Sequence, residues 1–151
     1  MRQLKKMKRL IYILTSLVIL TILIGCKKQS TENIVIGHDL YVHQDYQENR
    51  LLVSLIEKTL NNNQEAFSEL ISFPCGGGAG CYDLGFVVTQ IVYKIGKTEF
   101  LRLVDSIETD KYPELLGLIR VGLEYGDHDN DNEVDNRKIE NEFPEIYERI
   151  K

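Results

Sequence analysis

Residues 84–95, LGFVVTQIVYKI, decide how this chain is read. Leu84, Val87, Val88, Ile91 and Ile95 recur every three or four residues, the spacing that lines side chains along one face of an α-helix. Phe86 and Val92 widen the stripe. A helix apolar around so much of its circumference is expected at the centre of a domain, covered on more than one side. Gly96 follows, where a left-handed residue ends a helix.

The same period extends in both directions. Upstream, Leu52, Leu55, Ile56 and Leu60 form a stripe on a helix starting at Tyr46. Asp45 and Glu48 stand before it at the spacing of a capping box. Asn61–Asn63 break that helix and cap the next, which carries Phe67, Leu70 and Ile71 and stops at Phe73-Pro74. Downstream, Thr98 reads as the cap of a fourth helix built on Phe100, Leu101, Val104 and Ile107. YPELLGLIRVGLEYG (112–126) is a fifth, with Pro113 at its start and Gly126 at its end. Gly117 and Gly122 cost that helix about 1 kcal/mol each in propensity, and close packing against a neighbour would explain them. FPEIYERI (143–150) makes a short last helix.

There is a faint internal repeat. LVSLIEKTL…AFSELISF resembles VVTQIVYKI…EFLRLVDSI, with Phe67 and Phe100 in corresponding places, and YPELL is echoed by FPEIY. This all-α pattern loosely resembles HEAT or armadillo repeats, which implies about six helices as three αα-hairpins in a short HEAT-like solenoid. An irregular helical bundle would show the same stripes, and both arrangements stay open.

The first residues concern location. MRQLKKMKR is basic and LIYILTSLVILTIL is apolar, the order of a signal peptide. The run ends in Leu23-Ile24-Gly25-Cys26, which resembles the lipobox of bacterial lipoproteins. That resemblance implies lipid on Cys26 and cleavage before it. The plainer alternative is a transmembrane anchor, for which the run is short. The organisation expected is a signal peptide at 1–25, lipidated cysteine and tether at 26–44, and a helical domain at 45–151. Within the tether, IVIGHDLYVH is apolar enough to form one strand or to lie on the domain. Attachment to a membrane through the lipid places the protein in a bacterial cell envelope. Lys27, rather than an aspartate, follows the cysteine, so in a diderm cell the outer membrane is favoured, facing the periplasm or the surface.

The leader holds Arg2, Lys5, Lys6, Lys8 and Arg9 of the 18 basic residues and none of the 23 acidic ones. The chain from Cys26 therefore carries a net charge of about −10, which disfavours nucleic acid as a partner.

Cys75 and Cys81 flank four glycines and an alanine in FPCGGGAGCYD (73–83). In an oxidising compartment the first reading is a disulfide. A thioredoxin-like pair has two intervening residues, not five. The glycines match neither a P-loop nor a dinucleotide fingerprint. Asp83, in the first turn of the helix that follows, would repel a phosphate. His38, Asp39, His43 and Asp45 have no established ligand spacing.

Asp127 to Asn136, DHDNDNEVDN, is the best candidate for site chemistry. Asp127, Asp129, Asp131 and Asp135 resemble the first nine positions of an EF-hand-type loop, which implies a possible calcium ion held by their oxygens and by the Glu133 carbonyl. Asn132 stands at the usual glycine, where Asn tolerates a left-handed backbone best among the other residues. The closing Glu is replaced by Lys138, and Glu140 comes two residues late. A solvated acidic linker is the alternative, and His128 among acids would suit a transition metal.

Signatures of common hydrolases are missing. Two functions remain. One is a lipid-anchored, non-catalytic protein-binding module, resembling immunity proteins or accessory subunits of envelope complexes in general character. The other is a metal-dependent envelope hydrolase using residues 127–135.

Overall fold

The computed structural model describes residues 29–151, so the expected signal peptide and Cys26 lie outside the described residues. Two short strands come first, β1 (Ser30–Thr31) and β2 (Ile34–Val35), followed by eight α-helices. These are α1 (His38–Val42), α2 (Tyr46–Leu60), α3 (Gln64–Ile71), α4 (Ala79–Ile95), α5 (Lys97–Val104), α6 (Tyr112–Tyr125), α7 (Ile139–Glu142) and α8 (Pro144–Ile150). The protein is all-α. Among the described residues no helix is long and apolar enough to cross a membrane.

α4 is the centre, as its circumference requires. Leu84, Val87, Val88, Ile91 and Val92 are all buried. α6 runs along one flank, α1 and the hairpin along another, and α2, α3 and α5 close the rest. The helices form an irregular bundle. Hairpin pairing is present within it, since the consecutive helices α2 and α3 pack on each other, as do α4 and α5. The two phenylalanines of the faint repeat, Phe67 and Phe100, touch edge to face with ring centroids 5.3 Å apart. Burying each such ring contributes about 1.5–3 kcal/mol.

The helix starts are local chemistry. Asp45 accepts from the backbone N–H groups of Gln47 and Glu48, while the Glu48 carboxylate accepts from Asp45 N, a complete capping box. Asn63 caps α3 through Ala66 N. One expectation is corrected: Thr98 is not a cap. α5 begins at Lys97 directly after Gly96, whose φ of 83° turns the chain without a linker.

The stretch expected as a tether is folded over its described part, from Gln29 onward. Glu32 and Asn33 have φ of 49° and 61°, the two positive values of a tight hairpin turn. Ser30 pairs with Val35, and Thr31 with Ile34. The Gln90 side chain of α4 treats β2 as a strand partner, accepting from Val35 N at 2.8 Å and donating to Val35 O at 2.9 Å. Ile34, Ile36 and Leu40 are buried in the common core. The apolar part of this stretch thus lies on the domain.

The glycine-rich turn is closed by the Cys75–Cys81 disulfide, with Cα atoms 4.8 Å apart. Gly76, Gly77 and Gly78 all have positive φ, a path that side chains resist. α4 starts inside the bridged loop. Asp83 is used by the protein itself: its carboxylate accepts from Leu40 N at 2.9 Å and so caps α1. Burial raises the Asp83 pKa, with the Leu40 N–H opposing.

Candidate functional site

The face of α4 turned away from the core carries Tyr82, Phe86, Thr89, Gln90 and Tyr93. These are spaced by three or four residues, so they form one stripe. Nothing in an isolated helix says what covers it. The cover comes from the loop after α6.

Gly126 ends α6, and the loop is tied off at its base by three backbone bonds. Asp135 N donates to Gly126 O, Asn136 N to Glu124 O and Arg137 N to Leu123 O, at 2.9, 3.1 and 2.9 Å. At the tip, Asp127 Oδ1 accepts from Asp131 N, and Asp127 Oδ2 from Asn132 N. Asp131 Oδ1 accepts from Glu133 N at 2.8 Å. Asn130, Asn132 and Asn136 take positive φ, with Asn132 at 67° in the place where glycine is usual.

Three of the four expected metal ligands come together. One carboxylate oxygen from each of Asp127, Asp129 and Asp131 lies within 4.8 Å of the others. Such hard oxygens on a tight loop suit calcium. Asp135 does not join them. Its side chain is 4% exposed, and its Oδ2 lies 2.6 Å from His128 Nδ1 and accepts from His128 N at 3.0 Å. Glu140 is also elsewhere, 3.6 Å from Arg120.

His128 is the residue that fastens the loop to the helix. Its side chain is 5% exposed. The ring meets Phe86 and Tyr93 edge to face at 4.9 and 5.0 Å, and Nε2 lies 2.8 Å from Thr89 Oγ1. Burial holds the His128 pKa below its ordinary value, against the pull of Asp135. The neutral ring then donates from Nδ1 to Asp135 and accepts the Thr89 hydroxyl at Nε2. With both nitrogens engaged, His128 has no lone pair for the transition metal considered above.

Asp135 is desolvated, which raises its pKa, but the two His128 hydrogen bonds and the Arg137 charge outweigh this and keep it below the usual carboxylate range. Arg137 Nη2 donates to Asp135 Oδ1 at 3.2 Å and Nη1 to Tyr93 Oη at 3.1 Å. Burial pushes the Tyr93 phenol up to about 12.

Thr89, His128 and Asp135 stand in the order of a hydrolytic triad. The hydroxyl rules out that chemistry: Thr89 is fully buried in the middle of α4, with Oγ1 also 3.0 Å from Phe86 O. No substrate carbonyl reaches it. The trio is an anchor.

Around the anchor is a cleft of about 520 Å³, lined by the hairpin at Asn33–Val35, by Phe86, Tyr93 and Lys94 of α4, and by Asp127, Asn130 and Arg137 of the loop. At the end of the stripe Tyr82 stacks on Tyr125 of α6, with ring centroids 4.6 Å apart and planes 12° apart. Both rings remain open to solvent, 42% and 46% exposed.

Sequence reasoning singled out the loop and His128 but missed Thr89, Tyr93, Arg137 and the tyrosine pair. Phe86 was read as core. The tyrosines and Phe86 do share one face by spacing, a signal hidden by the stronger apolar face of the same helix. Comparison with family models, curated proteins and solved structures finds no match to this chain.

Proposed function

We propose that this chain is a lipid-anchored protein of a bacterial cell envelope, acting as a non-catalytic protein-binding module. An immunity-like inhibitor and an accessory subunit of an envelope complex are the two forms of that role. The observation that carries the reading is the exposed Tyr82–Tyr125 stack, continuous along α4 with Phe86 and Tyr93 at the cleft. Tyrosines bring large rigid area at low entropy cost, and they are enriched at protein interfaces and their energetic centres. The membrane reading draws its support from the sequence of residues 10–26.

Two measurements test the two halves. The intact mass of protein taken from membranes reports lipid on Cys26, and an uncleaved, unmodified chain refutes the anchor. A photo-crosslinking amino acid at Tyr82 should join the full-length protein to a discrete partner in envelope extracts, with loss of the product in Tyr125→Ala. Identical labelling with the crosslinker at Arg102, on the distant helix α5, refutes a specific face.

One observation favours the second reading, a metal-dependent hydrolase. Asp127 belongs both to the carboxylate cluster and to the wall of the cleft, so a cation held there would stand beside a bound ligand. The readings separate on Asp127→Asn with Asp131→Asn. That pair removes the cluster and leaves the tyrosine face, so crosslinking persists if the protein is a binding module.

A further inference from the structure

The described chain is part of the fold from its first residue. Gln29 O accepts from Ile36 N at 2.8 Å, and Ser30 is already paired with Val35. Cys26 precedes Gln29 by three positions. A chain reaches at most about 3.3–3.6 Å per residue, so the two are no more than about 11 Å apart. That is about the width of one helix with its side chains. A domain held by so short a link cannot turn freely above a membrane.

We infer that the domain lies directly against the bilayer, with the β1 flank facing the lipid headgroups and α6 facing away. The inference rests on the lipid attachment at Cys26 proposed above. Which flank faces inward follows from the packing. Thr31 Oγ1 donates to Glu57 Oε1 of α2 at 2.8 Å, and Lys94 Nζ of α4 donates to the Glu32 carbonyl, so the hairpin sits between these two helices. α6 packs on α4 at Gly85. Gly85 and Lys94 are nine residues apart, and nine helical steps of about 100° put them on opposite sides of α4. The hairpin and α6 therefore cover opposite flanks.

Charge does not hold this face to the membrane. Glu32 and Glu57 oppose Lys94, with Lys27 and Lys28 beside the anchor, and the balance is close to neutral. The restraint is covalent, so salt does not release it. Tyr93 precedes Lys94 by one residue, which turns the aromatic face about 100° from the hairpin flank. That face opens sideways along the bilayer, towards partners that themselves sit at the same membrane surface.

The test uses the full-length lipidated protein in vesicles of phosphatidylethanolamine and phosphatidylglycerol containing a headgroup-nitroxide lipid. A fluorophore is placed at Ser30→Cys or at Arg120→Cys, both exposed, with the Cys75–Cys81 bond kept oxidised. Quenching should be several-fold stronger at position 30 than at position 120, in low and high salt alike. Inserting about twelve Gly/Ser residues between Lys28 and Gln29, a linker of ~20 Å root-mean-square span, should erase the contrast while the protein still floats with the vesicles. Equal quenching at both sites without the linker, with flotation intact, overturns the orientation and leaves the anchor standing. Failure to float overturns the anchor and the inference with it.

Discussion

Gly117 and Gly122 look alike in the sequence of α6, and replacing each by alanine should have opposite effects. At Gly117, among the described residues, no atom lies within 4 Å of an added Cβ. Gly117→Ala should therefore gain only helix propensity, up to about 1 kcal/mol. At Gly122 the added Cβ would lie 2.9 Å from Phe86 N of α4 and nearer still to the carbonyl of Gly85. Backbone cannot rotate away as a side chain does. An ordinary carbon contact is about 3.5–4.0 Å, so α4 and α6 must separate by roughly 1 Å. A gap of that size forfeits about a quarter to a half of each contact's attraction. Leu115, Leu118, Ile119 and Leu123 of the same helix are all buried. Overpacking typically costs about 1–3 kcal/mol, and the propensity gain offsets about 1 kcal/mol of it. The net expectation is a loss of up to about 2 kcal/mol for Gly122→Ala and a difference of about 1–3 kcal/mol between the variants. Urea unfolding with an unchanged m-value measures it. The tyrosine near-UV dichroism should weaken only in Gly122→Ala, because Tyr82 and Tyr125 stack across the same crossing. If Gly122→Ala is as stable as Gly117→Ala, the glycine-dependent close approach is refuted.

Three further predictions follow from the site and its supports. Because burial lowers the His128 pKa, the unfolded chain takes up the proton first on acidification, so stability should fall as pH drops below about 6.5 towards the folded value. His128→Gln should flatten the pH dependence over that window, and an unchanged slope counts against the anchor. If Asp127, Asp129 and Asp131 hold calcium at the weak, extracellular end of such loops, with a Kd of about 0.1–1 mM, millimolar calcium should raise Tm more than magnesium does. Asp129→Asn with Asp131→Asn should remove the difference, and calorimetry without a calcium signal would leave a solvated loop. Reducing the Cys75–Cys81 bond should cost about 2 kcal/mol through the freedom returned to the unfolded chain. Helix content at room temperature should stay the same, and a Tm unmoved by reduction refutes the staple.

The helices were legible because their signals act over four residues or fewer. The Asp45–Glu48 capping box, Asn63, Pro113 and the stop at Gly96 each work on their own turn of backbone. The burial of α4 could be read from its circumference alone. Thr98 misled because it is a good cap residue placed two residues too late: Gly96, at positive φ, had already started α5. The stretch before Asp45 was opaque because it is too short to show a period. Its place was set by Gln90, whose amide completes β2 from 55 residues away.

By itself the sequence determined the all-α class, the limits of the longer helices apart from the start of α5, the glycine-rich turn between two cysteines and a left-handed Asn132 in an acidic loop. Tertiary structure decided what these features meet. Gly122 differs from Gly117 only because Gly85 lies opposite. Asp135 has the spacing of a calcium ligand, but the buried His128 ring takes its carboxylate. Thr89 is one polar residue in an apolar helix until His128, 39 residues further on, reaches it. The reason is one of range: caps and periods are fixed by neighbouring backbone, whereas a buried hydrogen bond or a close helix crossing depends on residues that only folding brings within a few ångströms.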